Sequence, residues 1–264
     1  MAKIEGPILF TGSIGNLSAY KRRGSDKIIL RTKGGASKDK IKADPAFART
    51  RDNNTEFGAS STAGTYIRGA LFAIKHLADH NISGQLNALA RYIMKLDTVN
   101  KEGERDIRFS QYHYLLDGFS LNRNLPFNTV IRHPVSCTLS RMSGTASLVL
   151  PNLVPGVNLY NPTQYPLYRF IMVLGVIPDM VLVPAGYHPA NPVQYSAECF
   201  TTQWFAAKDP LPEQNFDIAL KKFTGLEESN SLVLTIGIEF GYPVSDHLTT
   251  AVKYAGTAVI LATG

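Results

Sequence analysis

The sequence predicts a mixed α+β fold with an amino-terminal β-hairpin arm, a helical pair and a carboxy-terminal antiparallel β-sandwich. Two short apolar runs flank a glycine-containing turn near the amino terminus. Apolar residues then recur at helical spacing, and after residue 134 short strand-like runs alternate with Pro and Gly. We expect the arm at residues 1–58, the helical pair with a charged connection at 59–110, and the sandwich at 111–264.

The arm is predicted from two strand-like runs at residues 16–20 and 27–31, which a turn containing Gly24 separates. Another apolar run lies at residues 8–10. Because an isolated hairpin is only marginally stable in water, we expect the arm to dock on another surface.

Two helix starts follow the arm. Ser37 can cap a short helix, and Asp44 followed by Pro45 is a strong second start signal. We expect the helix that begins there to weaken at residues 53–54, which are both Asn.

The helical pair is predicted from about residue 62 to 79 and from Ser83 onward, and the short break at 80–82 makes the two helices antiparallel. One stripe of the first helix is apolar and should be buried. Its members are Tyr66, Ile67, Ala70, Leu71, Ile74, Leu77 and Ala78. The charged residues 98–108 are expected to form a surface connection.

The carboxy-terminal half contains about seven short strand-like runs, which fit a two-layer sandwich. They lie at residues 135–141, 145–150, 168–177, 193–205, 216–220, 231–240 and 251–263. The fullest alternation is at 231–240, where Leu, Ile and Phe face one way and Val233, Thr235 and Glu239 the other.

Charge is low and unevenly spread along the chain. Charged residues make up 18% of the sequence, against about 25% in an average soluble protein. Residues 1–51 hold 12 of the 27 Lys and Arg and 4 of the 21 Asp and Glu, a net charge of +8. The other 15 basic and 17 acidic residues give −2.

This asymmetry indicates an anionic partner for the basic arm, either nucleic acid, a membrane surface or the acidic face of a neighbouring copy. The candidate contact residues are Lys21, Arg22, Arg23, Lys27, Arg31, Lys33, Lys38, Lys40 and Lys42.

Location is predicted from cysteine use and hydropathy. Cys137 and Cys199 are too few for a disulfide framework, so we expect reduced, buried thiols. Residues 1–7 do not resemble a secretory signal, and charge and proline interrupt the most apolar stretch, at 167–184. The expected location is the cytoplasm, with no membrane span.

Three groups of residues invite a chemical interpretation. His76 and His80 have the spacing of a shared metal site, but Leu77 stands where the zinc-protease motif requires Glu. A solvated helix end is the favoured interpretation. The turn at residues 34–38 could hold an anion on backbone amides, although a plain helix start is favoured because the nucleotide-loop spacing is missing.

A nucleophile–base site could be assembled on paper from His133, Cys137, His188, Asp246 and His247. Nothing in the sequence fixes their mutual geometry, and no Gly-X-Ser-X-Gly turn accompanies any serine. We therefore predict no catalytic, metal or cofactor-binding residues.

Two stretches carry a resemblance to known sequences. One runs from Gly15 to Gly35 and continues from Asp44 to Gly58, and the other runs from Leu116 to Pro134. Together they resemble a bacterial family of conserved hypothetical proteins of similar length. The resemblance implies no activity, cofactor or site residue.

The expected function is that of a non-catalytic, self-assembling subunit of a tube, filament or shell, with the arm contacting a neighbouring copy. One alternative is a nucleic-acid-binding protein that uses the arm, where Tyr20 is the only aromatic residue beside the cations. The other is a carbohydrate-binding or hydrolytic sandwich with an aromatic patch from Trp204, Tyr187 or Tyr195.

Overall fold

A computed structural model of the protein describes residues 2–4, 10–22, 25–162, 164–245 and 248–264. The chain forms two compact units, residues 1–51 and residues 52–264. Their boundary lies seven residues before the predicted end of the arm at residue 58.

The amino-terminal unit is built on an antiparallel sheet with the strand order β1-β4-β3-β2. Its strands are β1 (Ala2–Ile4), β2 (Gly12–Ile14), β3 (Leu17–Lys21) and β4 (Ile28–Thr32). The pairing of β3 with β4 confirms the predicted hairpin. Of the apolar run at 8–10, residues 8 and 9 lie outside the described residues, and Phe10 is not in a strand.

Both predicted helix starts after the arm are confirmed. The Ser37 hydroxyl accepts a hydrogen bond from the Lys40 N–H at 3.2 Å and caps helix α1 (Lys38–Ala43). The Asp44 carboxylate accepts from the Ala46 N–H at 2.9 Å and caps a 3-10 turn. Helix α2 (Ala48–Ala70) follows directly.

The expected weakening at residues 53–54 is wrong, because α2 continues through them without a break. The Asn53 side chain accepts a hydrogen bond from Arg91 Nη2 at 3.1 Å, and the nearby Glu56 side chain is buried. These tertiary contacts outweigh the low helix propensity of asparagine. The apolar stripe past residue 70 remains buried, but a turn and a 3-10 helix (Lys75–Leu77) carry it.

The helix predicted from Ser83 is confirmed as α3 (Ser83–Met94), which buries Leu86, Ala90, Ile93 and Met94. It runs antiparallel to α2: Arg91 meets Asn53, while Asn87 accepts from Arg68 at 3.3 Å. Two short helices follow, α4 (Phe109–Tyr112) and α5 (Phe127–Val130).

The carboxy-terminal strands form three antiparallel sheets. The strands are β5 (Ser136–Ser140), β6 (Thr145–Leu150), β7 (Leu167–Pro178), β8 (Met180–Val183), β9 (Gly186–Pro189), β10 (Glu198–Thr201), β11 (Phe205–Ala206), β12 (Gln214–Ala219), β13 (Asn230–Ser245), β14 (Leu248–Ala251) and β15 (Thr257–Thr263). The predicted run at 193–205 is strand only at β10 and the start of β11, and β8, β9 and β14 were not predicted.

The largest sheet has six strands in the order β10-β7-β13-β14, with β11 on β7 and β15 on β13. A three-stranded sheet has the order β12-β6-β5, and β8 pairs with β9. The mixed α+β class with antiparallel sheets is therefore confirmed.

Both faces of the six-stranded sheet are covered. On one face, Val173 of β7 and Val233 of β13 share a hydrophobic cluster with Ile67 of α2 and Ile93 of α3. On the other, Phe170 of β7 packs with side chains of β6. The alternation at 231–240 thus separates two buried faces, whereas a surface strand would bury only one.

The connection at residues 98–108, which was predicted to lie at the surface, is partly buried. Gly103, Asp106 and Ile107 are buried, and Ile107 pairs with Met180 through two backbone hydrogen bonds. The buried Glu56 carboxylate accepts from the Gly103 N–H at 3.0 Å. Loop polar groups satisfied in this way can lie below the surface, a feature that charge content does not reveal.

Among the described residues, no helix is both long and apolar enough to cross a membrane.

Candidate functional site

The basic arm presents its cations to solvent. All eight described candidate residues are exposed, and Arg23 lies outside the described residues. Lys21 forms an ion pair with Asp26 at 2.9 Å, and Arg31 lies over the Tyr20 ring, 5.5 Å from its centroid. The Arg31 guanidinium therefore lies against the one aromatic face in this cluster.

The other arm cations differ in their local support. Lys33 Nζ donates to the Gly15 carbonyl at 3.0 Å, which ties the end of β4 to the turn before β3. Lys38, Lys40 and Lys42 are on α1, a helix that buries no residue. The six-residue length of α1 and the Ser37 cap agree with the plain helix start favoured for residues 34–38.

The two histidines of the proposed metal pair bond to separate partners. His76 Nε2 lies 3.1 Å from a Glu239 carboxylate oxygen. His80 Nδ1 lies 2.6 Å from Asp79 Oδ1, and its Nε2 lies 2.6 Å from the Gln85 amide. Among the described residues, no group of three or more His, Cys, Asp and Glu side chains is placed to hold a metal ion.

His80 also departs from the favoured interpretation of a solvated helix end. Its side chain is only 17% exposed, because Asp79 and Gln85 enclose it. Asp79 in turn accepts from the backbone N–H groups of Arg123 and Asn124. His80 is therefore part of a structural network at the start of α3.

Glu239 carries a buried carboxylate and was not among the predicted site residues. Its side chain is 5% exposed and accepts from Arg169 Nε at 2.6 Å. Burial acts to raise the pKa of Glu239, but hydrogen bonds from His76 and Arg169 outweigh burial and hold the pKa below its ordinary value. Glu239 is thus ionised, with His76 at one carboxylate oxygen and the Arg169 guanidinium at the other.

Arg169 is fixed from a second side by Trp204. The guanidinium carbon lies 4.4 Å from the centroid of the Trp204 ring. A Cβ atom at Gly241 would lie 2.7 Å from this ring, so a glycine is needed at that position of β13. The indole therefore has a packing role and orients Arg169.

A cleft of about 560 Å³ opens beside Glu239. The 3-10 helix at residues 75–77, the start of α3 and the segment after β14 form its walls. Its basic lining residues are Arg68, Lys75, His76, His80 and Lys253. Glu239 is the one acidic residue among its described lining residues.

The three aromatic candidates of the carbohydrate hypothesis have different partners. Tyr187 donates from its hydroxyl to the Arg105 carbonyl at 2.7 Å, whereas Tyr195 donates to the Gly225 carbonyl at 2.7 Å. Trp204 lies against Arg169. Among their described contacts, no shared aromatic patch joins these three rings.

The candidate nucleophile–base residues are not joined by described hydrogen bonds either. His133 contacts the neighbouring Pro134 carbonyl, and His188 lies on β9. Burial and the Asp117 carboxylate raise the pKa of the Cys137 thiol, which disfavours the nucleophilic thiolate. Asp246 and His247 lie outside the described residues.

One sequence signal could have revealed the Glu239 site. Glu239 is the only charged residue in the run 231–240, so strand pairing was bound to place a carboxylate inside the sheet. Its partner Arg169 lies 70 positions away and becomes visible only with the pairing of β7 and β13.

Comparisons with known proteins identify no relative of this chain. No protein-family model, curated protein or solved structure matches it. The resemblance to a bacterial family of hypothetical proteins stays a prediction.

Proposed function

We propose that this chain is a structural, non-catalytic subunit that self-associates into a tube, filament or shell through its amino-terminal unit. The observation that carries the proposal is how few residues are buried in that unit. Of residues 10–22 and 25–51, only Ala19 and Ile28 are buried. A sheet of this size needs a further apolar surface to be stable.

The strand register of the arm sheet also indicates that the sheet packs on a further apolar surface. Ile14 lies opposite Leu17, and Ala19 lies opposite Leu30, so these four side chains share one face. Ile14 is 61% exposed, and Leu17 and Leu30 are only partly buried. In the proposed assembly, this face packs against a neighbouring copy.

The arm also offers a strand edge. The last strand in the described sheet order is β2, and Gly12, Ser13 and Ile14 are all exposed. Unpaired backbone groups at a sheet edge are a template for another strand. Strand addition at β2 would extend the arm sheet into a neighbouring copy.

The opposite charges of the two units favour contact between the arm of one copy and the second unit of another. The eight described arm cations are exposed, and residues 52–264 carry a net charge of −2. Exposed acids of that second unit include Asp209, Glu213 and Asp217 near β12. Attraction between unlike surfaces speeds association and fixes register.

In the proposed assembly, residues 52–264 form the body of the subunit. Side chains of the six-stranded and three-stranded sheets share two hydrophobic clusters, which supports a sandwich as the rigid part of the subunit. We propose the cytoplasm as the place of assembly.

Light scattering and negative-stain electron microscopy of the nuclease-treated, purified chain test this proposal. We expect regular particles or filaments that grow with protein concentration and shrink at high salt. The absorbance ratio at nucleic-acid and protein wavelengths, recorded on the same sample, should be that of protein alone. A monomer at every concentration and salt would refute self-association.

Nucleic-acid binding is the second candidate, favoured by the density of exposed cations on the arm. It predicts retarded DNA or RNA at low salt and an affinity that falls by orders of magnitude at moderate salt. Against it, Arg31 already lies on the Tyr20 ring, so base stacking there requires Arg31 to move. Unchanged DNA and RNA mobility at low salt would remove this candidate.

A further inference from the structure

We infer that the cleft beside Glu239 is a binding site for a small organic anion with a flat apolar body. The inference rests on the cations of the cleft walls, on the apolar part of its lining and on a lining tyrosine with a positive φ angle. It is independent of the assembly proposed for the arm.

The wall cations have no acidic partner in the described structure. Arg68, Lys75 and Lys253 form no ion pair with any described carboxylate. The one carboxylate among the described lining residues, that of Glu239, already accepts from Arg169 and His76. The cleft therefore retains positive charge that an anionic ligand can neutralise.

Two of the cations are held in place. Arg68 donates to Thr65 Oγ1 at 2.6 Å and to Asn87 Oδ1 at 3.3 Å, which orients its guanidinium between α2 and α3. The Lys75 ammonium lies 4.5 Å from the centroid of the Phe72 ring. Neither set of contacts includes a carboxylate, so each side chain has a preferred position and keeps its positive charge.

Much of the cleft lining is apolar. Ala78, Ile82 and Val252 are among its lining residues, and so is Tyr254, which is 75% exposed. A ligand that carries only charge would leave this surface in contact with water. A planar apolar body beside the anionic group would cover it.

Tyr254 supplies an independent sign of function. Its φ angle is +63°, the left-handed region that bulky residues avoid. Residues held in this region cluster at binding sites, where the surrounding structure stabilises them. An exposed aromatic side chain is held here at a conformational cost, and it borders the cationic cleft.

Anilinonaphthalene sulfonate, an aromatic anion that fluoresces in apolar sites, is the probe for this cleft. We expect saturable binding that phenyl phosphate displaces. Benzyl alcohol and inorganic phosphate should each compete at least about tenfold more weakly, because each lacks one half of the recognised chemistry. Equal competition by benzyl alcohol would contradict the role of the cations.

A double variant, Lys75→Gln with Lys253→Gln, tests whether the dye binds in this cleft. Its dissociation constant for the dye should rise at least about tenfold, because two charge contacts are lost. The matched control is Lys95→Gln with Lys222→Gln, which removes the same charge from exposed positions outside the cleft lining. Control binding should equal wild-type binding.

Both double variants are exposed-site changes, and thermal unfolding verifies that they fold like the wild type. A single Tyr254→Gly variant should also weaken dye binding, by about threefold or more, while it removes a positive-φ tyrosine. Equal dye affinity in the cleft double variant and its control would overturn the inference.

Discussion

Glu239 and Arg169 lie directly opposite each other on β13 and β7, and Arg169 Nε donates to the Glu239 carboxylate at 2.6 Å. His76 approaches the other carboxylate oxygen from the 3-10 helix at residues 75–77. The three residues connect the central strands of the largest sheet to the helical layer. Glu239 and His76 also line the cationic cleft.

Replacing Glu239 by Gln should destabilise the protein by about 1–3 kcal/mol, since Arg169 would lose its ionic partner at a site that is largely buried. We place the value below that of a fully buried pair because the Arg169 side chain is 30% exposed. Urea denaturation measures the change. The control Glu213→Gln, at an exposed site, should change stability by less than about 0.5 kcal/mol. Equal stability of the two variants would contradict this role for Glu239.

Gly175 sets the distance between β7 and α2. A Cβ atom there would lie 2.6 Å from the Ala70 Cβ atom, so Gly175→Ala should push the helix away and cost about 1–3 kcal/mol. Gly58 is an exposed α2 residue with open space around it, and Gly58→Ala should stabilise by about 0.5–1 kcal/mol. Opposite shifts of the thermal unfolding midpoint are expected. A neutral Gly175→Ala would show that the layers are not in close contact.

The packing of β13 between two layers shows which structural features could be predicted from the sequence. The alternation at 231–240 predicted the strand and the two directions of its side chains, because a period of two is local information. Which layer covers each direction depends on α2 and β6, which lie far away in sequence. Hence Val233 and Glu239, assigned to the second face, proved to be buried as well.

The helical region shows a second limit. Ser37 and Asp44 predicted helix starts correctly, because capping uses hydrogen bonds between near neighbours. The weakening expected at residues 53–54 was wrong because Arg91, 38 positions away, binds Asn53. The cleft was missed for the same reason, as its cations are spread between Arg68 and Lys253.

Asp97 should make stability depend on pH. Burial acts to raise its pKa, but hydrogen bonds from the Asp106, Val99 and Asn100 N–H groups and the Asn100 side chain lower it from 3.8 to about 2. Because the folded pKa is depressed, this stabilisation is present above about pH 4 and is lost as pH falls through about 2.

The comparison with Asp97→Asn isolates this contribution from other carboxylates. At pH 6 the wild type should be more stable by roughly 1 kcal/mol, the usual value of one hydrogen bond. Urea denaturation between pH 6 and about 2 should show that the difference shrinks on acidification. A constant difference over this range would rule out the ionised Asp97 as its source.

Ile14 tests the apolar face of the arm. Because it is 61% exposed, Ile14→Ser should change the free energy of unfolding of a single copy by less than about 0.5 kcal/mol. It should nevertheless reduce the assembled fraction, since the side chain packs against a neighbouring copy in the proposed assembly. Met142→Ser, at a 95% exposed position of the β5–β6 turn, is the control and should leave light scattering unchanged. Equal scattering from both variants would exclude Ile14 from the contact.

Sedimentation velocity of two charge-reversal variants tests self-association through the basic arm. The arm variant combines Arg22→Glu, Lys38→Glu and Lys42→Glu, and the body variant combines Lys95→Glu, Lys208→Glu and Lys222→Glu. All six residues are exposed, and the two variants have the same net charge. We predict that the arm variant sediments as a monomer at a concentration where the wild type and the body variant sediment as large assemblies. Assembly of the arm variant to the wild-type size would refute self-association through the arm.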